Sequence, residues 1–446
     1  MLAAALLALG TSCFEQQPIP VDVFLISVDT LRLDHVSTFN ESSPVQTPHM
    51  AGLAQDGVRY TQAFSPVSVT GPAFCSAMTG LEPGRHGVLT NLFRGGEPLG
   101  DEHVTLAERF KAAGHKTGAF VSAFTLRQQL GLRQGFDIYN GGENSNRDGD
   151  RTASVMVPWV RHQTGPIFAW FHSFDPHGPY HRMMATSEYD NPWEEIPADL
   201  VHIPEYQRID GITDRKLYES LYARGVERAD KAVGMVLDGL KAAGRYDDAM
   251  IVLFADHGEG FAERPLWFDH GTSAHAEQTH VPMIIKYPKG RGAGTEDQRL
   301  VSLLDLAPTA LAVAGLPQLD GIDGRSLLGS APVHTTVVSE SSHCKAIDVL
   351  ACSPKGGQAK EIAVRSLQST LVSAMEGGVE VERVYDRQGD PLESHPQIKA
   401  APKALIAALK PVRDDRRQRT YATFPQADSK EEEEEDEKLK ALGYTE

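Results

Sequence analysis

Short, nearly continuous apolar runs closed by an acidic residue recur along this chain. Residues 21–28 (VDVFLISV) end in Asp29, and residues 251–255 (IVLFA) end in Asp256 and His257. Residues 166–174 (PIFAWFHSF) end in Asp175, with His177 two positions on. A run without polar alternation suits a parallel strand buried on both faces, whose carboxyl end presents the residue that follows. Residues 116–122 and 281–287 are further strand candidates.

Amphipathic segments with helix punctuation lie between these runs. Thr105, with Glu108 three residues on, is a capping box opening a helix that stops at Gly114. Residues 218–244 read as a long amphipathic helix and residues 304–314 as another, ending at Gly315. The alternation predicts an α/β fold, a large and mostly parallel sheet sandwiched by helices. Ligands bind such sheets outside the carboxyl ends of the strands, where three strands here deliver Asp or Asp/His.

Residues 332–415 read differently. Short strands over 335–339 and 370–373, with turn signals at Tyr385–Asp386 and Asp390–Pro391, predict a small C-terminal antiparallel subdomain with a closing helix. The organisation is then a leader-like segment (1–20), a main domain (21–330), the small subdomain (331–413) and an acidic tail (414–446). Residues 183–216, rich in Pro, Trp and acidic groups, predict a loop over the site.

A chain of 446 residues that is 41% hydrophobic can bury a large core. Its net charge of -17 argues against nucleic acid as a partner, although part of that charge sits in the solvated run 431–437. The apolar start 1–10 is short of the ~20 residues a membrane span needs. It reads as the apolar region of a secretory signal without the usual positive start. The Thr11-Ser12-Cys13 that follows resembles a bacterial lipoprotein cleavage site, although Gly10 stands where a larger aliphatic residue is usual. Export to the periplasm or cell surface is expected, with membrane attachment through a lipidated Cys13. Of the other three cysteines, Cys75, Cys344 and Cys352, the last two either pair in an oxidising compartment or stay as free thiols.

Asp29, Asp256 and His257 make a candidate divalent-metal site. An Asp after a strand is commonly a cap or turn residue, but His257 has no capping role. Carboxylates favour hard cations, and the imidazole shifts the preference toward zinc or manganese.

Several ordered motifs resemble those of the sulfatase family, in the alkaline-phosphatase-like superfamily. They are VDTLRLDH (28–35), TPHMAGLAQDGVRY (47–60), TGLEPGRHGV (79–88), FHSFDPHGPY (171–180), DHGE (256–259), HG (270–271) with VPMII (281–285), LDLAPT (304–309) and DGRSL (323–327). The ending LKALGY (439–444) is also similar. The resemblance implies an alkaline-phosphatase-like fold and a hydrolase of small-molecule or glycan sulfate or phosphate esters. It implies one divalent cation, calcium by resemblance, held by Asp29, Asp256 and His257, with Thr30 in place of a second acidic ligand. His177 matches a histidine facing the leaving group, a general acid. His270 falls near a lysine that contacts the anion; as imidazolium it serves the same end, or it joins Asp175 and His177 around a second metal.

The resemblance breaks at the nucleophile. The family pattern Cys-x-Pro-x-Arg, whose cysteine becomes formylglycine, is met here by TGPAFCSAMTG (70–80). Thr70 replaces the cysteine and Phe74 the arginine; Ser122 and Phe124 replace a lysine and a histidine. Cys75 lacks the proline and arginine of a shifted motif, so no formylglycine is expected. Thr70 is then the candidate nucleophile and phosphoester chemistry the favoured reaction. The alternative is a catalytically inactive, sulfatase-like binding protein at the cell envelope. His35 and His172 read as supporting residues, His181, His275 and His280 as surface residues, and Arg85–His86 as a loop pin.

Overall fold

The computed structural model describes residues 20–92, 97–141, 146–184, 202–209, 212, 214–264, 267–342, 361–376 and 379–418. Cys13, Cys344, Cys352, most of the predicted loop over 183–216 and the acidic run 431–437 lie outside the described residues.

Ten strands serve the main domain: β1 (Val23–Val28), β2 (Val58–Tyr60), β3 (Ala63–Phe64), β4 (Lys116–Phe120), β5 (Ile138–Asn140), β6 (Ile167–Ser173), β7 (Met250–Ala255), β8 (Met283–Lys286), β9 (Thr295–Asp297) and β10 (Val301–Ser302). Eight of them form one sheet in the order β5-β4-β6-β1-β7-β8-β2-β9, and β3 pairs with β10. The five strands from β5 to β7 run parallel, and β8 is antiparallel to both β7 and β2. All residues of β1, β6 and β7 are buried, as their unbroken apolar runs demand.

Helices cover the sheet: α1 (Pro48–Asp56), α2 (Thr70–Thr79), α3 (Pro83–His86), α4 (Leu106–Ala112), α5 (Gly149–His162), α6 (Arg215–Ala242), α7 (Ala276–Thr279) and α8 (Leu306–Ala314). The capping box is present as predicted, with Glu108 N–H donating to the Thr105 hydroxyl and Thr105 N–H to the Glu108 carboxylate. Gly80 and Gly315, with φ of 70° and 67°, end α2 and α8 in the left-handed conformation that glycine adopts without strain.

The small subdomain is an antiparallel sheet of β11 (Val337–Glu340), β12 (Ile362–Arg365), β13 (Ser369–Glu376) and β14 (Val379–Asp386), covered by α9 (Lys403–Gln418). Two details differ from expectation. Tyr385 and Asp386 are the last residues of β14, paired with Thr370 and Ser369, and the turn comes after them. The closing helix runs to Gln418, past the position where a tail was expected.

Register places the site. Val28 lies opposite Ser173 on one side and Ala255 on the other. Asp29 and Asp256 therefore leave neighbouring strands at the same level, at the carboxyl edge of the sheet.

Candidate active site

Asp29, Asp256 and His257 offer ligand atoms that all lie within 4.8 Å of one another, and all three are buried. Their hydrogen bonding is one-sided. Oδ1 of Asp256 accepts the N–H groups of Thr30 (3.3 Å) and His257 (3.0 Å), whereas its Oδ2 and both oxygens of Asp29 accept no hydrogen bond. The buried Thr30 hydroxyl in the same corner has no hydrogen-bond partner either. Burial pushes the Asp29 carboxyl up to about 7, and burial together with the Asp29 charge pushes Asp256 up to about 6. Two dry carboxylates with orphaned oxygens are an unfavourable arrangement for anions alone and suit a divalent cation.

The imidazole is oriented for the same purpose. Nδ1 of His257 donates to the Gly258 carbonyl at 2.8 Å, which fixes the tautomer and turns Nε2 inward. Nε2 lies 3.4 Å from Asp256 Oδ2 and 3.8 Å from Asp29 Oδ1. His172 supports Asp29 from behind. Its Nδ1 accepts the Ser122 N–H at 3.4 Å, and its Nε2 lies 3.3 Å from Asp29 Oδ2, without hydrogen-bonding alignment. Burial pulls the His172 ring down to about 4, so it is neutral.

Thr70 is the first residue of α2, every residue of which is buried. Its Oγ1 lies 3.2 Å from Nε2 of His257. The positive end of the helix dipole therefore meets the hydroxyl beside the carboxylate cluster. Gly71 N–H, next along the helix, donates to Asn91 Oδ1 at 2.8 Å.

His177 and His270 reach the same place. Their ring centroids are 4.8 Å apart, and His270 is 4.4 Å from His257. His177 Nδ1 donates to the Gly178 carbonyl at 2.8 Å. Burial and the neighbouring His270 hold His177 well below the usual imidazole range, so it is neutral at neutral pH. His270 Nδ1 pairs with Glu259 Oε1 at 3.2 Å, while Tyr180 O–H donates to Glu259 Oε2 at 2.8 Å. All six sequence-predicted residues thus converge. Glu259, Tyr180 and Asn91 join them unpredicted, although Glu259 follows the Asp-His-Gly motif directly.

Other expectations fare differently. Asp175 does not join His177 and His270: its Oδ2 accepts from Gly149 N–H and the Ser173 hydroxyl, and its Oδ1 faces Arg228. His275 and His280 are not surface residues. His275 is buried between Glu361 and Tyr385, and His280 stacks on Phe64 with a ring nitrogen 2.9 Å from the Thr61 carbonyl. His181 is exposed, and His35 packs against Tyr222 and Phe261, bonded to Asp34. Arg85 bonds Asp323 and His86 bonds Ser76, pinning the loop. Phe74 packs among Trp170, His172 and Phe254, and the Ser122 hydroxyl bonds the His172 carbonyl.

A parallel sheet that gathers an Asp/Asp/His cluster and a helix-borne hydroxyl at its carboxyl edge defines an α/β protein of the alkaline-phosphatase-like type. The chain belongs to the sulfatase family: the family model described as sulfatase matches residues 22–316, and that of the N-sulphoglucosamine sulphohydrolase C-terminal region matches residues 264–411. An ulvan-active sulfatase of Formosa agariphila is 26% identical over 316 residues, 64% of this chain and 60% of the relative. The chain thus spans less than two thirds of that relative's length. Among solved structures, the phosphonate monoester hydrolase of Agrobacterium radiobacter superposes with a TM-score of 0.70 at 21% identity, covering 89% of this chain and 96% of that one. A structure solved in complex with its substrate D-glucosamine-2-N,6-O-disulfate gives a TM-score of 0.70 at 17% identity, covering 90% and 99%. These two likenesses show the fold.

Proposed function

We propose that the protein is an exported, metal-dependent ester hydrolase in which Thr70 is the nucleophile, acting on phosphate or phosphonate esters in preference to sulfate esters. The observation that carries this is the Thr70 hydroxyl, 3.2 Å from His257 Nε2 at the edge of the orphaned carboxylates. Asp29, Asp256 and His257 would hold the cation. When bound, a divalent cation supplies Lewis acidity to an ester oxygen and favours the deprotonated nucleophile. Calcium is the family's usual ion, and the His257 imidazole equally suits zinc or manganese.

The chain's own residues account for the rest. Thr70 Oγ1 gives up its proton and attacks phosphorus, the bond to the leaving oxygen breaks, and that oxygen takes up the proton. Water then gives up a proton and attacks the threonyl phosphoester, the bond to Oγ1 breaks, and Oγ1 takes up that proton. His177, neutral with its proton on Nδ1, can take up a proton at Nε2 and return it to the leaving oxygen, the acid role the resemblance implies. His270, with Nδ1 on Glu259, is placed to face the anion.

A threonyl sulfate lacks the aldehyde collapse that frees formylglycine, so it would accumulate. A threonyl phosphate is open to in-line hydrolysis. That difference favours phosphorus over sulfur.

One observation favours a second reading, a binding protein at the envelope. Phe74 and Ser122 stand where the family has an arginine and a lysine, and both are engaged in packing or internal hydrogen bonds. A panel of aryl phosphate, phosphodiester, phosphonate and sulfate esters, run beside metal analysis of the purified protein, separates the two. Turnover of phosphorus esters with bound metal supports the hydrolase; absence of both supports the binding protein. The names of the relatives motivate sulfated or phosphorylated glycans as substrates beside small esters. Lipid attachment at Cys13 is tested by lipid labelling of wild type against Cys13→Ala.

A further inference from the structure

The segment that carries His270 is held from outside the main sheet. The Gly271 carbonyl accepts from Ser342 N–H at 2.8 Å, just beyond β11. Ala274 N–H donates to Glu361 Oε2 at 3.0 Å, and the Ala274 carbonyl accepts from Arg365 Nη2 at 2.7 Å. Ala276 N–H, at the start of α7, donates to Glu393 Oε2 at 3.0 Å.

Arg365 and Glu393 grip each other through two bonds of 2.8 Å each. Both side chains are fully buried, and the Thr370 hydroxyl donates to Glu393 Oε1 at 2.5 Å. From the other end of the segment, Arg264 Nη2 donates to the Leu392 and Glu393 carbonyls at 3.2 and 2.6 Å. The small subdomain therefore presents a locked guanidinium–carboxylate pair to the main chain of residues 274–276.

Backbone conformation agrees. Glu393 has a φ of 55°, and Phe268, two residues before His270, has a φ of 54°. Non-glycine residues stay in the left-handed region only where their surroundings over-determine them. A buried ion pair is weak evidence for added stability. Its bidentate form does fix a geometry.

We infer that Arg365 and Glu393 are positioning residues for His270, so that the small C-terminal sheet completes the active site without touching substrate. This rests on the role proposed for His270. The match to the C-terminal family model begins at residue 264, so the His270 segment and the small sheet fall within one matched unit.

Three variants of the full chain test it: Glu393→Gln, the double variant Arg365→Met with Glu393→Gln, and Leu409→Ala. Leu409 is buried in the core between α9 and the small sheet, away from the grip. The double variant covers the case in which Glu393→Gln strands the buried Arg365 charge and fails to fold, since it removes both charges of the pair together. Amide hydrogen exchange across residues 269–279 is read beside kcat and KM on an aryl phosphate, below the unfolding temperature of every variant.

In the grip variants exchange is expected to quicken by about tenfold or more. Their kcat is expected to fall by roughly ten- to a hundredfold with KM within about twofold. Leu409→Ala is expected to change neither. Grip variants that match Leu409→Ala overturn the inference, and so does faster exchange with unchanged kcat. An inactive wild type overturns the hydrolase reading and the catalytic part of the inference; the exchange result then decides separately whether the pair holds the segment.

Discussion

Oγ1 of Thr70 lies 3.2 Å from Nε2 of His257, a partner 187 residues away in sequence. The contact joins the amino end of α2 to the carboxyl end of β7 and sets the hydroxyl beside Asp29 and Asp256.

His172 touches no substrate in this account; it backs Asp29 through Nε2 at 3.3 Å while Ser122 N–H holds its other nitrogen. Replacing such a supporting residue typically weakens metal binding by about 10- to 100-fold. His172→Gln is therefore expected to bind zinc, manganese or calcium more weakly by that factor, measured by competition with a chromophoric chelator. Activity should return at saturating metal.

The raised carboxyls give a pH dependence with a definite sign. Protons compete with the cation for Asp29, at about 7, and Asp256, at about 6. Metal affinity should hold above pH 7 and fall steeply below it, by about tenfold per pH unit for each proton displaced. In chelator the direction of stability is opposite. A carboxyl raised above its unfolded value binds more protons when folded, so the metal-free protein should lose stability as pH rises from about 4 through 7. Asp29→Asn should flatten both profiles, read by calorimetric metal titration and by thermal melting.

Thr105→Ala removes one side of the capping box on α4. It is expected to cost about 1 kcal/mol in denaturant unfolding. Turnover should not change, since α4 supplies no group to the site.

Much of this was legible in the sequence. The unbroken apolar runs of β1, β6 and β7 identified the central strands, and the residues following β1 and β7 gave the carboxylate cluster. Thr105, Gly114 and Gly315 marked helix ends by chemistry that is local. What escaped depends on distant partners. Asp175 follows its strand as Asp29 and Asp256 do, but the amino end of α5 claims its carboxylate. His275 reads as polar and exposed until Glu361 and Tyr385 of the small sheet enclose it. The pairing of Tyr180 and His270 with Glu259 joins three separate segments, and no spacing rule announces it. β14 did carry a readable signal, with Val379 and Val381 alternating with Glu380 and Glu382.

The most direct measurement is acid-quenched turnover of an aryl phosphate or phosphonate, followed by mass spectrometry of the peptide containing residue 70 and by rates for Thr70→Ser and Thr70→Ala. A phosphoryl or phosphonyl adduct on Thr70 and partial activity in Thr70→Ser are expected. Thr70→Ala is expected to show no adduct and a rate lower by about a thousandfold or more. A Thr70→Ala protein that turns over at the wild-type rate, with no adduct on the wild-type peptide, would contradict a nucleophilic Thr70.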